Sequence, residues 1–312
     1  MRKAITARYL GSIVLATHVW AQGLAPIPAK DATFEFHSGF WVNLHHFLYE
    51  QAVMGAPSPS DPPEWREALD YYRREVTKRD LLTDEAAEIN NRLSDLESSP
   101  SLKNSGLPPD LSAVLDAAAP IYRERWWAEH DRSNRVWIQA VAPLIAKHGD
   151  ALRKQLGKIY DTDWPLTPIR TDVAEYANWG GAYTTLEPAH ITVSSVNLGN
   201  QKEAALEVLF HEASHAMFTK IGSTLSAEVR ARNMLFRRKD FWHAVLFYTV
   251  GEMVRRQLED GYTPYALKNG LYERTWEGVP EILDTDWKPY LDGKTDLTSA
   301  VRRLVAAYGL SQ

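Results

Sequence analysis

Apolar residues recur every three or four positions along most of this chain, which is the spacing of helices that bury one face. Stretches rich in Pro and Ser or in polar residues, at 56–63 and 98–109, interrupt this spacing and predict loops. The N-terminal half, about residues 30–170, is therefore predicted to be helical. Its predicted helices span residues 34–53, 64–80, 84–96, 111–130 and 133–160.

The pattern changes to a period of two at residues 180–195. The segments Gly180 to Thr185 and His190 to Ser195 alternate and are rich in β-branched residues, while Glu187-Pro188-Ala189 between them is typical of a turn. These features predict an antiparallel β-hairpin. We expect that an extended peptide could pair with the edge of this hairpin through main-chain hydrogen bonds.

The helix predicted after this hairpin contains His211-Glu212-Ala-Ser-His215. Positions i and i+4 share a helix face, so both imidazoles can bind one metal ion. Glu212 lies about 100° around the helix from His211, where it can act as a general base without being a ligand. The flanking residues are uncharged, so the helix should be buried, and burying these polar groups is costly unless a metal compensates them. The segment therefore predicts a metal site.

A catalytic zinc ion usually has three protein ligands, so a third must come from elsewhere in the chain. His243 is the first candidate, because it begins an apolar helix for which Asp240 is a suitable N-cap. Glu252 and Glu228 are the alternatives. Each of these glutamates has nearby arginines, so an ion pair would also explain it.

Four other histidines are expected to have structural roles. His45 and His46 are adjacent, so on a helix they point about 100° apart, which favours packing or cleft-lining over a second metal site. His37 lies in the same predicted helix, and His190 is expected on a strand face.

The segment His211-Glu212-Ala-Ser-His215, followed by a second apolar helix, resembles the zincin metallopeptidases, which include the thermolysin-like and angiotensin-converting-enzyme-like peptidases. In the latter group the third ligand is a glutamate in a Phe-His-Glu-Ala segment. Phe241-Trp242-His243-Ala244 resembles that segment with histidine at the ligand position, a departure that leaves Glu252 as the alternative. The resemblance covers about residues 175–275, and only the five-residue motif is specific.

This resemblance implies a predominantly helical α+β fold with a zincin-like catalytic core and a small antiparallel sheet beside the motif helix. It also implies one Zn²⁺ per chain and hydrolysis of a peptide or protein substrate, with Glu212 as the general base. In such enzymes a Tyr or His downstream of the ligands stabilises the oxyanion, for which Tyr265 is the first candidate here and Tyr272 the second. The alternatives are a hydrolase of the same fold with a non-peptide substrate and an inactive exported binding protein. The intact Glu212 argues against the inactive protein.

Composition narrows these possibilities. Charged residues make up 24% of the chain, the net charge is −5, and no basic cluster indicates nucleic acid or a membrane surface as a partner. The chain has no Cys, which excludes disulfides and lipoprotein attachment and argues against a structural zinc site with thiolate ligands.

The N-terminus has the pattern of an export signal. Arg2, Lys3 and Arg8 give a basic start, an apolar stretch runs from Tyr9 to Trp20, and the segment ends at Val19-Trp20-Ala21, where cleavage is expected. We therefore expect residues 1–21 to be a cleaved signal peptide. The mature protein should be periplasmic or secreted and should not remain inserted in a membrane. The remaining residues 22–312 are predicted to form one domain, whose catalytic half begins at about residue 171. The alternative for residues 1–21 is that they form an amphipathic N-terminal helix of the folded domain.

Overall fold

The computed structural model describes residues 33–55, 58–234, 240–258 and 261–310. The predicted signal peptide lies outside the described residues. Among the helices within these ranges, none is both long enough and apolar enough to cross a bilayer.

The described chain is mostly helical, with one small sheet. The strands are β1 Phe34–His37, β2 Ile169–Ala174, β3 Ala182–Thr185 and β4 His190–Ser194. The helices are α1 Phe40–Met54, α2 Pro63–Tyr71, α3 Asp84–Asp95, α4 Pro109–Tyr122, α5 Ala128–Tyr160, α6 Glu203–His215, α7 Thr219–Ala231, α8 Phe241–Leu258, α9 Tyr265–Lys268, α10 Leu271–Thr275, α11 Val279–Ile282, α12 Lys288–Leu291 and α13 Leu297–Leu310. Short π-helical segments at Tyr72–Val76, Arg123–Trp127 and Leu283–Trp287 extend or join helices, and a 3₁₀ turn spans Leu198–Asn200.

The sheet confirms the predicted hairpin but is mixed rather than antiparallel. Its strand order is β1-β2-β4-β3, in which β3 pairs antiparallel with β4 while β1, β2 and β4 run parallel. The prediction that residues 34–53 are entirely helical was wrong at its start. Phe34 pairs with Ile169 in β2, and this pairing with a distant strand decides the conformation of residues 34–37.

The predicted break between the helices at 111–130 and 133–160 is also absent. Residues Pro109 to Tyr160 form a continuous helical rod that passes through the π-helical segment Arg123–Trp127. Asp131, in the expected gap, accepts a 2.8 Å bond from the Arg135 side chain one turn later. This i, i+4 ion pair stabilises the helix across the gap that was predicted between residues 130 and 133.

Strand β4 lies inside the molecule, with all five residues buried. Ile191 and Val193 point into the same apolar cluster as α5, α6 and α8. The alternate residues face α3, whose Asn90 donates a 3.1 Å hydrogen bond to the Thr192 hydroxyl. Successive side chains of β4 therefore point to opposite sides of the sheet, and other elements cover both sides.

The apolar residues form two large clusters. One combines the sheet with α5, α6, α8 and α13, and the other combines α1, α2 and α4. Buried amides join the two, because Asn43 of α1 donates to the carbonyl of Val173 at 3.1 Å and accepts from Asn134 of α5 at 3.0 Å. His45 and His46 are buried here, where His46 bonds to the hydroxyl of Tyr183 in β3. Both have the expected packing role.

Candidate metal and catalytic site

Helix α6 is buried along almost its whole length, as its apolar flanks predict. Every residue from Ala204 to Ser214 is buried, and His215 at its end is partly exposed. The helix packs against α8, α5 and β3. The motif residues are therefore held on a rigid element inside the C-terminal cluster.

The structure brings together the three histidines that the sequence singled out. One ligand atom from each of His211, His215 and His243 lies within 4.8 Å of the others, and the Nε2 atoms of His211 and His243 are 3.0 Å apart. Zinc–nitrogen bonds of about 2.0–2.1 Å place tetrahedral ligand atoms about 3.4 Å from one another. The spacing therefore fits one transition-metal ion with three imidazole ligands.

These imidazoles are held in the neutral form that a metal ligand requires. Burial lowers the pKa of His215 to about 3, with a smaller contribution from His243. Burial also lowers the pKa of His243 to about 4, although Asp240 opposes the shift. The pKa of His211 is well below its usual range because it is buried beside the other two rings. Each ring therefore keeps a free lone pair at neutral pH.

Aromatic packing fixes the orientation of the rings. Phe247, one turn after His243 on α8, stacks on His211 with ring centroids 3.9 Å apart. Trp242 stacks on His243 at 5.0 Å. His211 Nδ1 is buried without a hydrogen-bond partner among the described residues, so this ring is positioned by packing.

Glu212 lies beside the three histidines and is held by the predicted hairpin. The Thr184 hydroxyl of β3 is 2.8 Å from Glu212 Oε2 and 2.8 Å from the Glu212 main-chain oxygen, and its single proton can be donated to either. Burial raises the pKa of Glu212 to about 7, against the lowering effect of the Thr184 bond. Glu212 Oε2 is 3.9 Å from His215 Nε2. A buried carboxyl group is thus placed next to the atoms that could bind a metal ion.

A small cavity of about 40 Å³ opens at this point. This volume holds only a few waters, because one water needs about 10–15 Å³. Tyr265 lines the cavity, as does Glu212, whereas Tyr272 is buried with its hydroxyl 3.4 Å from the Ala244 carbonyl. Of the two tyrosines, only Tyr265 therefore reaches the candidate site. The cavity is lined by Gly180, Ala182, Glu207, Val208, His211, Glu212, Phe247 and Tyr265.

The alternative ligands have other partners. Glu252 accepts 2.8 Å bonds from the Arg255 and Arg256 side chains, and Glu228 pairs with Arg232 at 2.6 Å. Among the described residues, neither glutamate belongs to the converging group. The ion pairs expected from the sequence account for both.

Three residues of the site were not singled out from the sequence. Glu207 lies four positions before His211, and Phe247 four positions after His243. Each therefore shares a helix face with a candidate ligand, a spacing that could have indicated it. No signal of that kind exists for Thr184, because its contact with Glu212 depends on how β3 packs against α6.

No family model, curated protein or solved structure matches this chain.

Proposed function

We propose that the protein is a zinc-dependent peptidase of the zincin type, in which His211, His215 and His243 hold the metal and Glu212 is the general base. The observation that carries this proposal is the convergence of three neutral imidazoles, one of which, His211, lines a small cavity together with the buried carboxyl group of Glu212. Buried polar groups of this kind are costly to maintain, and an ion at the imidazoles would offset that cost.

The donor set favours zinc. Imidazole nitrogen suits zinc, copper, iron and nickel, whereas magnesium and calcium prefer oxygen ligands. Three protein ligands are also the number typical of catalytic zinc, which keeps a fourth position open. When bound, such an ion supplies Lewis-acid polarisation of a carbonyl and of water.

The chain's own residues divide the remaining chemistry. Glu212 takes the proton of the attacking water and passes it to the leaving amine. The Thr184 hydroxyl, 2.8 Å from Glu212 Oε2, orients the carboxyl when it donates its proton to that oxygen. Tyr265, which lines the same cavity, donates a hydrogen bond from its hydroxyl to the oxyanion that forms on the substrate carbonyl.

The hairpin supports an extended peptide as the substrate. β3 is the last strand in the sheet order, and no described strand pairs with its outer edge. Ala182, the first residue of β3, and Gly180, two residues before it, line the cavity, so a peptide that pairs with this edge would pass the catalytic groups. Trp179, next to Gly180, is 80% exposed and offers an apolar surface to side chains of the substrate.

Export remains part of the proposal and rests on the basic and apolar pattern of residues 1–21. N-terminal sequencing of the protein recovered outside the cytoplasm is expected to begin near Gln22. Recovery of an intact N-terminus would contradict this assignment.

The experiment that tests the enzyme combines elemental analysis with cleavage of a quenched-fluorescence peptide library. The wild-type chain is expected to bind one zinc ion and cleave the library, and Glu212→Gln to bind zinc without cleaving. Glu228→Gln is the matched control, because this glutamate forms an ion pair with Arg232 outside the site. Wild-type protein that binds zinc and cleaves no peptide would overturn the peptidase proposal.

A further inference from the structure

Glu207 is a buried carboxyl group whose position the roles above do not explain. It lies on α6, one turn before His211, and only 1% of its surface is exposed. Its Oε2 atom accepts a 2.7 Å hydrogen bond from the Tyr262 hydroxyl and a 2.9 Å bond from the Tyr265 main-chain N–H. One oxygen from the metal-binding helix therefore fixes two points of the segment 262–265.

Helix α8 packs tightly against this contact at Gly251. A Cβ atom on Gly251 would lie 2.8 Å from the Cβ of Pro264 and 3.0 Å from Glu207 Oε1, so a side chain at this position would push the segment and the carboxyl away. Glu207 Oε1 is buried without a hydrogen-bond partner among the described residues, and burial raises the pKa of Glu207 to about 7. Such a group is costly to keep, which favours a functional reason for it.

The Tyr265 side chain is confined as closely as its backbone. Its ring lies parallel to Phe247, with ring centroids 6.2 Å apart. On another side, a Cβ atom on Gly199 would lie 2.9 Å from the ring and 3.0 Å from the hydroxyl oxygen. Once the backbone of Tyr265 is fixed, its hydroxyl has few positions available.

We propose that Glu207 is a positioning residue, which ties the Tyr265 backbone to the metal-binding helix and so aims the Tyr265 hydroxyl at the reacting carbonyl. This role rests on the proposed peptidase function. Glu207 acts through Tyr265 and not on the metal, so its loss lowers kcat and leaves KM and zinc binding nearly unchanged.

The kinetic test compares Glu207→Ala, Glu207→Gln, Tyr265→Phe and the double variant Glu207→Ala/Tyr265→Phe. Glu207→Ala is expected to lower kcat by about 10- to 100-fold, somewhat less than the loss of a whole oxyanion donor. Glu207→Gln keeps an acceptor oxygen for the Tyr265 N–H and should recover most of this loss. Because both residues act through one hydroxyl, the double variant should be no slower than Tyr265→Phe alone, within about twofold.

Hydrogen exchange of the Tyr265 amide provides a readout that needs no turnover. The amide is expected to be protected in the wild type and in Glu207→Gln, and to exchange at least about 10-fold faster in Glu207→Ala, because its acceptor is removed. Unchanged protection in Glu207→Ala would overturn the positioning role, even in a chain that cleaves nothing. So would multiplied kcat losses in the double variant, and that result would leave the peptidase proposal intact.

Gly251→Ala is the second route, for use if Glu207→Ala fails to fold. It removes no polar group from the site and displaces Pro264 and Glu207 by steric contact alone. The same lowered kcat, unchanged zinc stoichiometry and faster exchange at Tyr265 are expected. Wild-type kcat and exchange in this variant would contradict the proposal.

Discussion

At the residue scale, the proposed third metal ligand, His243, can be tested directly by its effect on zinc affinity. His243 contributes an Nε2 atom 3.0 Å from that of His211, while Glu252 is held by two arginines. His243→Ala is expected to weaken zinc binding by more than about 100-fold, since loss of a mere supporting partner costs about 10- to 100-fold. Competition titration with a zinc chelator measures this. Glu228→Ala should bind zinc like the wild type, and zinc loss in Glu252→Ala with retention in His243→Ala would reverse the assignment.

Thr184 gives a second prediction at this scale, because it contacts Glu212, the proposed general base, from another element. Thr184→Val keeps the shape of the side chain and removes the hydroxyl that is 2.8 Å from Glu212 Oε2. A hydrogen bond to a charged group contributes about 1.5 kcal/mol, so kcat should fall about 10-fold. Zinc stoichiometry should not change. Thr184→Ser, which retains the hydroxyl, should recover activity, and equal rates for Val and wild type would show that Glu212 needs no such support.

At the element scale, a buried ionic network attaches α3 to the sheet. Asp172 of β2 is fully buried and lies 2.6 Å from both His190 Nε2 of β4 and the Ser94 hydroxyl of α3. Arg170 contacts it at 3.0 Å. Burial raises the pKa of Asp172, but the bonds and charges of His190 and Arg170 outweigh this effect and hold the pKa well below its usual range.

Asp172→Asn is therefore expected to destabilise the protein at pH 7 by about 3 kcal/mol, the lower end for breaking a buried ion pair. A depressed carboxyl pKa stabilises the fold above the unfolded value of about 3.9 and loses that contribution as pH falls towards the folded value. The wild type should lose stability steeply below about pH 4, and the variant less so. Urea unfolding at several pH values measures both effects. Asp150 is exposed and pairs with Arg153 and Lys154, so Asp150→Asn should behave like the wild type.

Helix α6 and strands β1 and β2 show which elements can be predicted from the local sequence and which cannot. Helix α6 follows directly from its apolar flanks and from the i, i+4 histidines. Strand β2 was missed because Arg170 and Asp172 interrupt its apolar residues. Their partners are far along the chain, since Arg170 bonds to Glu97 just after α3, and Asp172 bonds to Ser94 of α3 and His190 of β4. The start of the first predicted helix failed for a similar reason, since Phe34–His37 is strand only because β2 is there to pair with it. Elements that depend on distant partners carry no local signal.

At the scale of the whole molecule, the candidate site belongs to one of the two apolar clusters. His211 lies on α6 and His243 on α8, and both helices pack within the C-terminal cluster, while Thr184 approaches from the sheet. Contacts of this kind between elements could not be read from the sequence. The agreement at His243 arose because a buried helix with two histidines needed a further partner, and α8 carried a histidine on an apolar background.

Because the site joins α6 to α8, a metal ion bound there should stabilise the whole fold. An ion that binds only the folded chain, at 100 times its dissociation constant, contributes about 2.7 kcal/mol. For a chain of this size that should raise Tm by roughly 5 °C. Differential scanning calorimetry of chelator-treated protein, with and without added zinc, measures the shift. Magnesium should give none, because the three nitrogen donors suit it poorly. His243→Ala should abolish the zinc response, and an equal shift with either ion would mean that the stabilising ion binds elsewhere.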